Sequence, residues 1–329
     1  MKISVIIPAY NCEATIQETL DSVLGQTVAP DEILVLDDGS TDCTPELLAS
    51  YRPRITVFRQ KNGGVASARN ALCERAQGDL VAFLDSDDIW HPRYLEVQRE
   101  LFQQHPTCVA FFTGHVNFYG GVHYVWKNEP LPEYRVEIIP RLEFLVRYNS
   151  AVGRFLPSYG CVPKKVLRSL GPEPFKGRIA EDVYFVNLVL LVARRGCILY
   201  ASIPLGAYRI RSGTLSSNHL AITEAEVRAF ELLESYHRTL PDRRFSRALN
   251  SVFAMKRRQY AKRLLGVGQM GEAGNQLRHA LRNSGNPISL AKCLRLLLLS
   301  YLPKPLQPKW PPPYRELSGP QSASLDEGT

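Results

Sequence analysis

Along the first hundred residues, short apolar runs alternate with stretches in which apolar residues recur every three or four positions. Residues 3–7, 33–36, 55–58 and 81–84 are runs rich in Val, Ile and Leu. Runs of this length bounded by turn residues fit strands covered on both faces. Pro8 stops the first run, and Gly78-Asp79 precedes the fourth. Between the runs, Ile16, Leu20, Val23 and Leu24 fall on one helical face. Further helices are expected over residues 45–51, 65–76 and 92–105. A β-α-β-α rhythm with short links predicts an open, mostly parallel twisted sheet with helices on both faces.

The pattern loosens after residue 109. Strands are expected at 109–113 and at 122–126, around Gly120-Gly121, and helices at 141–148 and 162–170. Ile179-Ala180-Glu181-Asp182 leads into an apolar-rich helix over 183–195. The last strands fall at 198–200 and 205–210, and residues 211–217 form a small-residue loop that opens on a cation, Arg211. Beyond about His219 the composition becomes all-helical, with helices at 222–240, 245–265, 272–282 and 288–301. Residues 259–282 read as one helical hairpin. The expected division is a sheet-based domain over 1–218, a helical region over 219–303, and a proline-rich then polar tail over 304–329 that is extended or disordered.

Three of the strands end in polar loops: residues 8–11, 37–42 and 85–88. A parallel sheet puts those loops on one edge, where ligands of open α/β sheets bind. The third loop, Asp85-Ser86-Asp87-Asp88, crowds carboxylates that repel one another unless a cation joins them. Hard oxygen donors suit Mg²⁺ or Mn²⁺, either of which leaves positions for phosphate oxygens. The alternative is a polar turn in which an Asp caps the next helix.

Charge and composition narrow the partners. The formal net charge of +8 over 329 residues favours anionic partners, whether nucleotide-activated substrates, nucleic acid or an acidic membrane surface. The absence of aromatic-interleaved basic clusters argues against nucleic acid. No G-x-G-x-x-G or P-loop occurs, which argues against a dinucleotide dehydrogenase or an NTPase. The seven cysteines are scattered without a C-x-x-C, so neither a zinc ribbon nor a disulfide framework is indicated, and a reducing compartment is expected. Residues 1–8 lack the features of a signal peptide, and no apolar stretch reaches the roughly 18 residues that span a bilayer. A cytoplasmic protein is expected, soluble or peripheral on the inner face of the membrane. Residues 288–302 are strongly apolar with a polar stripe of Ser289, Lys292, Arg295 and Ser300. Such a segment either lies on an anionic leaflet or docks on the helical hairpin.

Taken together, Val5-Ile6-Ile7-Pro8-Ala9-Tyr10-Asn11, Asp37-Asp38-Gly39-Ser40, Asp85-Ser86-Asp87 after a strand and Glu181-Asp182 at a helix start resemble the family 2 glycosyltransferases. Gly63-Gly64-Val65-Ala66-Ser67-Ala68-Arg69-Asn70 fits the same pattern. The resemblance covers roughly residues 1–218. It implies a GT-A-like fold and an inverting, metal-dependent transfer of sugar from a nucleotide-sugar, by default a UDP-sugar. The acceptor would be a hydroxyl of a saccharide or lipid-linked molecule, in cell-surface polysaccharide or glycolipid synthesis. Pro8, Tyr10 and Asp38 would surround the base, and Arg69 would approach the base or diphosphate. Asp85 would lie near ribose and metal, with Asp87 as the direct Mg²⁺ or Mn²⁺ ligand, and Asp88 would cap a helix. Asp182 would be the general base, and Trp90 and Glu181 would meet the acceptor, with Trp90 packing under its sugar. Of Arg209 and Arg211, the latter would reach the diphosphate. The alternative activity is a sugar-1-phosphate nucleotidyltransferase. That chemistry normally needs a Gly-rich loop with a cation after the first strand, and Pro8-Ala9-Tyr10-Asn11 offers none.

Overall fold

Strand β1 (Ile3–Ala9) is buried along its whole length, as a continuous apolar run should be when both faces are covered. In the computed structural model, which describes residues 1–119, 131, 133–150, 156–193, 196–211, 218–238, 242–283 and 287–300, β1 lies between two parallel neighbours. These are β2 (Glu32–Asp37) on one side and β4 (Leu80–Phe83) on the other, and β3 (Thr56–Arg59) continues the parallel block beyond β2. The crossovers are α1 (Ile16–Leu24), α2 (Thr44–Ser50) and α3 (Val65–Arg75). The expected strand at 122–126, residues 212–217 of the small-residue loop and the 304–329 tail lie outside the described residues.

Past β4 the sheet becomes mixed. The two-residue β5 (Ile89–Trp90) and α4 (Tyr94–Gln104) follow the acidic loop, and then come β6 (Ala110–Phe118), β7 (Val136–Pro140), α5 (Arg141–Ser150) and β8 (Gly160–Pro163). β8 lies antiparallel between β4 and β6, and β6 runs parallel to β9 (Cys197–Arg209). β9 also carries β5 and β7, both antiparallel. The two strands expected at 198–200 and 205–210 are one strand. Pro204 does not end it, because Pro204 sits opposite Gly114 where the β6–β9 register shifts, one of the few places a sheet accepts proline. The expected helix at 162–170 starts late. Val162 is drawn into the ladder opposite Val81, and only Lys164–Ser169 coils, as α6.

One expectation about cysteine is corrected. Cys108 and Cys197 form a disulfide, where no pairing was indicated. They lie 89 positions apart in the chain but stand where β6 and β9 begin side by side, with Cα atoms 4.7 Å apart. The Val109 N–H donates to the Cys197 carbonyl at 2.9 Å. Only the sheet makes them neighbours.

The remaining helices are α7 (Glu181–Val192), α8 (His219–Arg238), α9 (Arg243–Gly266), α10 (Met270–Asn283) and α11 (Pro287–Ser300). The chain divides into two compact units. The first holds residues 1–217 and 228–248, and the second holds 218–227 and 249–329. Residues 228–248, within the expected helical region, thus group with the sheet. In the second unit Ala261, Leu264 and Leu265 of α9 and Ala273, Leu277 and Ala280 of α10 are buried, as the hairpin pattern requires. Arg257 donates to Gln276 Oε1 at 2.7 Å, linking the two helices. Among the described residues no helix is long and apolar enough to cross a membrane.

Gly206 of β9 shows how tightly the mixed half is packed. A Cβ there would sit inside the ring of Tyr159, which is fully buried and stacked on His115 at 5.0 Å between centroids. Gly206→Ala is therefore expected to destabilise the protein by about 1–3 kcal/mol through overpacking. Urea midpoints read the loss, and a variant as stable as wild type would show that the Tyr159 ring moves freely.

Candidate active site

The acidic loop after β4 is held by its backbone, from three directions. Thr15, just before α1, and Thr19 within it donate their hydroxyls to the carbonyls of Ser86 and Asp88, each at 2.9 Å. From β9, Arg209 Nε donates to the Asp87 carbonyl at 2.8 Å. The Asp85 N–H donates to Ser158 Oγ at 3.0 Å. With its carbonyls satisfied in this way, the loop can hold like-charged side chains close together. Burial first, and then the charge of Asp85, pushes the Asp87 carboxyl above its ordinary range, and Arg211 opposes the rise. Asp88 is buried and pushed well up by burial and by Asp87 and Asp85. It does not cap α4. Its Oδ1 accepts the Arg209 N–H at 3.2 Å and so ties the loop to β9.

Arg69 joins this loop to the start of α7. The arginine lies on α3 and is 3% exposed. Its guanidinium bonds Glu181 Oε1 at 2.6 Å and also pairs with Asp85 Oδ1. Burial disfavours its charge, but the two carboxylates outweigh that and raise its pKa further. Phe175 lies under the guanidinium at 5.4 Å. Burial likewise pushes Glu181 up, to about 7, against the attraction of Arg69 and with the help of Asp182. Asp182 is raised by burial and is near enough to feel both Arg69 and Asp85. Ala180, immediately before them, has φ 58°, a left-handed conformation that costs an L-residue roughly 1–2 kcal/mol. Non-glycine strain of this sort concentrates at functional sites.

Asp38 forms a separate cluster. Its carboxylate accepts from Gln60 Nε2 at 2.7 Å, from the Gly63 N–H at 2.9 Å and from the Gly64 N–H at 2.8 Å. Gly64 has φ +85°, which glycine adopts freely. Asp38 therefore braces the amino end of α3, the helix that carries Arg69 five residues on. Beside it the 10–13 and 40–44 loops are laced together. Asn11 donates its N–H to Ser40 Oγ at 3.0 Å and accepts from the Thr41 N–H at 2.9 Å, and the Cys12 N–H donates to Thr44 Oγ1 at 2.9 Å. Tyr10 is 48% exposed at this rim.

Several sequence-derived placements change. Trp90 is 1% exposed, stacks on Tyr94 and donates Nε1–H to the Ser158 carbonyl at 2.8 Å, so it is a core residue and offers no face to an acceptor. Pro8 is buried in β1 opposite Leu36, two residues before the exposed Tyr10. Arg209 is buried, pairs with Glu18 and covers the Phe118 ring, whereas the half-exposed Arg211 pairs with Asp87. Thr15, Thr19, Gln60 and Ser158 escaped sequence reading because their partners lie up to 73 positions away. Asn11 alone left a local mark, as a residue type that tolerates its φ of 45°.

Among the described residues no three His, Cys, Asp or Glu converge on a point that could hold a metal. Asp85 and Asp87 instead form a mutually repelling pair. That suits an ion such as Mg²⁺, which takes one or two carboxylates and fills its other positions with substrate phosphate and water.

Comparison with known proteins agrees with this architecture. A family model described as glycosyl transferase family 2 matches residues 4–161. An uncharacterized glycosyltransferase of Nostoc is 31% identical over 242 residues, which are 68% of this chain and 69% of that protein. TuaG of Bacillus subtilis, named for teichuronic acid biosynthesis, is 45% identical over 117 residues, 34% of this chain and 46% of its own length. The chain thus spans less than half of that relative. The crystal structure of S. aureus TarS residues 1–349 in complex with UDP-GlcNAc aligns with a TM-score of 0.68 at 19% identity, covering 91% of this chain and 90% of that one. The fold is of the GT-A type, and the chain belongs to glycosyltransferase family 2.

Proposed function

We propose that this glycosyltransferase moves a sugar from a nucleotide-sugar, UDP-linked by preference, to a hydroxyl of a saccharide or lipid-linked acceptor, with inversion at the anomeric carbon. The role would lie in cell-surface polysaccharide or glycolipid synthesis, on the cytoplasmic side of the membrane. The observation that carries the reading is the Arg69 junction, whose ion pairs to Asp85 and Glu181 tie the acidic loop to the helix start that carries Asp182. A donor site and a base are what a direct displacement needs. The names of TuaG and of the UDP-GlcNAc complex of TarS support the substrate class.

In this reading Asp182 takes the proton of the acceptor hydroxyl as that oxygen attacks the anomeric carbon. The bond from that carbon to the diphosphate oxygen breaks on the opposite face, and the nucleoside diphosphate leaves with the electron pair. Asp87, with Asp85, would hold Mg²⁺ or Mn²⁺, which neutralises charge on the diphosphate when bound. Arg211 reaches Asp87 from the end of β9 and is placed to offer its charge to the diphosphate as well. Tyr10 offers an exposed ring to the base, and the Asp38 carboxylate, with three donors already in place, keeps room for one base N–H. Arg69 is withdrawn from ligand by its two ion pairs and acts as a positioning residue.

Four outcomes are expected. Nucleoside diphosphate release from a panel of nucleotide-sugars, with and without Mn²⁺, should identify a donor. Asp182→Asn should lower transfer about 10²–10⁴-fold while keeping the melting shift caused by nucleotide. Transfer near the wild-type rate would remove Asp182 as the base. Arg69→Met leaves Glu181 buried without its cation, and a loss of about 3 kcal/mol is expected, toward the lower end for a broken buried pair because Asp85 is partly solvated. Glu181 has a folded pKa of about 7 against an ordinary value of 4.5, so the native state binds the extra proton. Its contribution to stability is complete below about pH 4.5 and is lost as pH rises through 7. Glu181→Gln should flatten that decline, read as urea midpoints at pH 5 and pH 7.5. An unchanged slope would assign the decline to other groups.

A further inference from the structure

Helix α11 closes the second unit with one face turned inward and another left in solvent. Cys293 and Leu296 are buried, and α10 packs along the helix. On the far side Leu290, Leu294 and Leu298 are 38%, 43% and 71% exposed. Residues four apart stack along one helix face, so the three leucines form a continuous strip about 12 Å long. Exposed Ala291 borders the strip, and exposed Arg295 and Lys292 follow around the same arc. A helix that only docked on the hairpin would not leave its leucines outside.

The charge around this strip selects its occupant. The described part of the second unit carries nine Lys or Arg against three Glu and no Asp. Two copies pairing strip to strip would set Arg295 and Lys292 of each against like charges in an already basic surface. A bilayer with anionic headgroups satisfies both features. The leucines enter the headgroup–acyl boundary, and the cations stay with the lipid phosphates. No helix among the described residues could cross the bilayer, so the contact lies along its surface.

We propose that α11 is a membrane-docking helix whose Leu290–Leu294–Leu298 strip and Arg295–Lys292 border bind the surface of an anionic lipid bilayer. The proposal goes beyond the glycosyl-transfer reading and does not use it. The test is co-sedimentation of the full chain with vesicles of phosphatidylcholine alone or with one-quarter phosphatidylglycerol. Binding is expected only where phosphatidylglycerol is present, weakening as salt rises. The triple variant Leu290→Ser, Leu294→Ser, Leu298→Ser should bind at least about tenfold more weakly. Lys292→Gln with Arg295→Gln should erase the preference for phosphatidylglycerol while leaving the leucines in place. Both variants alter exposed positions, so melting temperatures near wild type are expected and are checked alongside. A wild-type chain that stays in the supernatant with phosphatidylglycerol vesicles overturns the proposal, as does a leucine variant that binds like wild type. If sedimentation velocity shows a wild-type dimer that the leucine variant converts to monomer, the strip is a contact between copies, and the proposal falls.

Discussion

The guanidinium of Arg69 is the constraint on which the site depends. It is taken out of water between Asp85, which ends the parallel half of the sheet, and Glu181, which begins α7. Each of these charges alone would be costly to bury, and together they require one another. Because the three residues come from α3, the β4 loop and the α7 start, the pairing also fixes where those elements end. The raised pKa values of Glu181 and Asp182 show that the compensation is incomplete. A carboxylate in that condition accepts a proton more readily than one in water, and that is the property a general base needs.

The rest of the first unit keeps this junction from relaxing. Carbonyls of the acidic loop receive hydroxyl donors from Thr15 and Thr19 and a guanidinium donor from β9. Asp88 faces inward onto β9, and Asp38 grips the turn that starts α3. Polar groups at a ligand-facing edge would otherwise bind water and drift. Here each is used by a neighbour distant in sequence, so charge repulsion among the acids does not open the loop.

What the sequence disclosed follows from how local each signal is. The parallel strands are visible because burial on both faces leaves a plain apolar run, and the ends of β2 and β4 are visible because acids follow them. β9 reads as two strands because Pro204 is locally a stop, whereas the register shift at Gly114 of its partner strand β6, three strands earlier in the chain, absorbs it. The resemblance puts Trp90 under a sugar, yet the next helix stacks Tyr94 on it and Ser158 takes its N–H. Cys108 and Cys197 carried no spacing signal, since adjacency of β6 and β9 is a property of the whole sheet. The roles of Asp38 and Arg69 were legible as chemistry but not as geometry. Both spend their hydrogen bonds on the protein, which only coordinates reveal.

The same logic explains the cations. Asp85 feels the charge of Asp87 on one side and of Glu181 and Asp182 on the other, and the protein answers with Arg69 and Arg211. These two are not equivalent. Arg69 is sealed and paired twice, so its charge belongs to the fold. Arg211 is half-exposed, stands just past the end of β9 and pairs with Asp87 at the surface, so its charge can be exchanged. A divalent ion arriving at Asp87 would compete with a guanidinium that is itself half in water, which weakens its hold on the carboxylate. Displacing Arg69 would instead expose buried charge on three elements at once. The sheet edge therefore separates a permanent counter-ion from a replaceable one, and the replaceable one stands on the carboxylate where a donor's cation is proposed to bind.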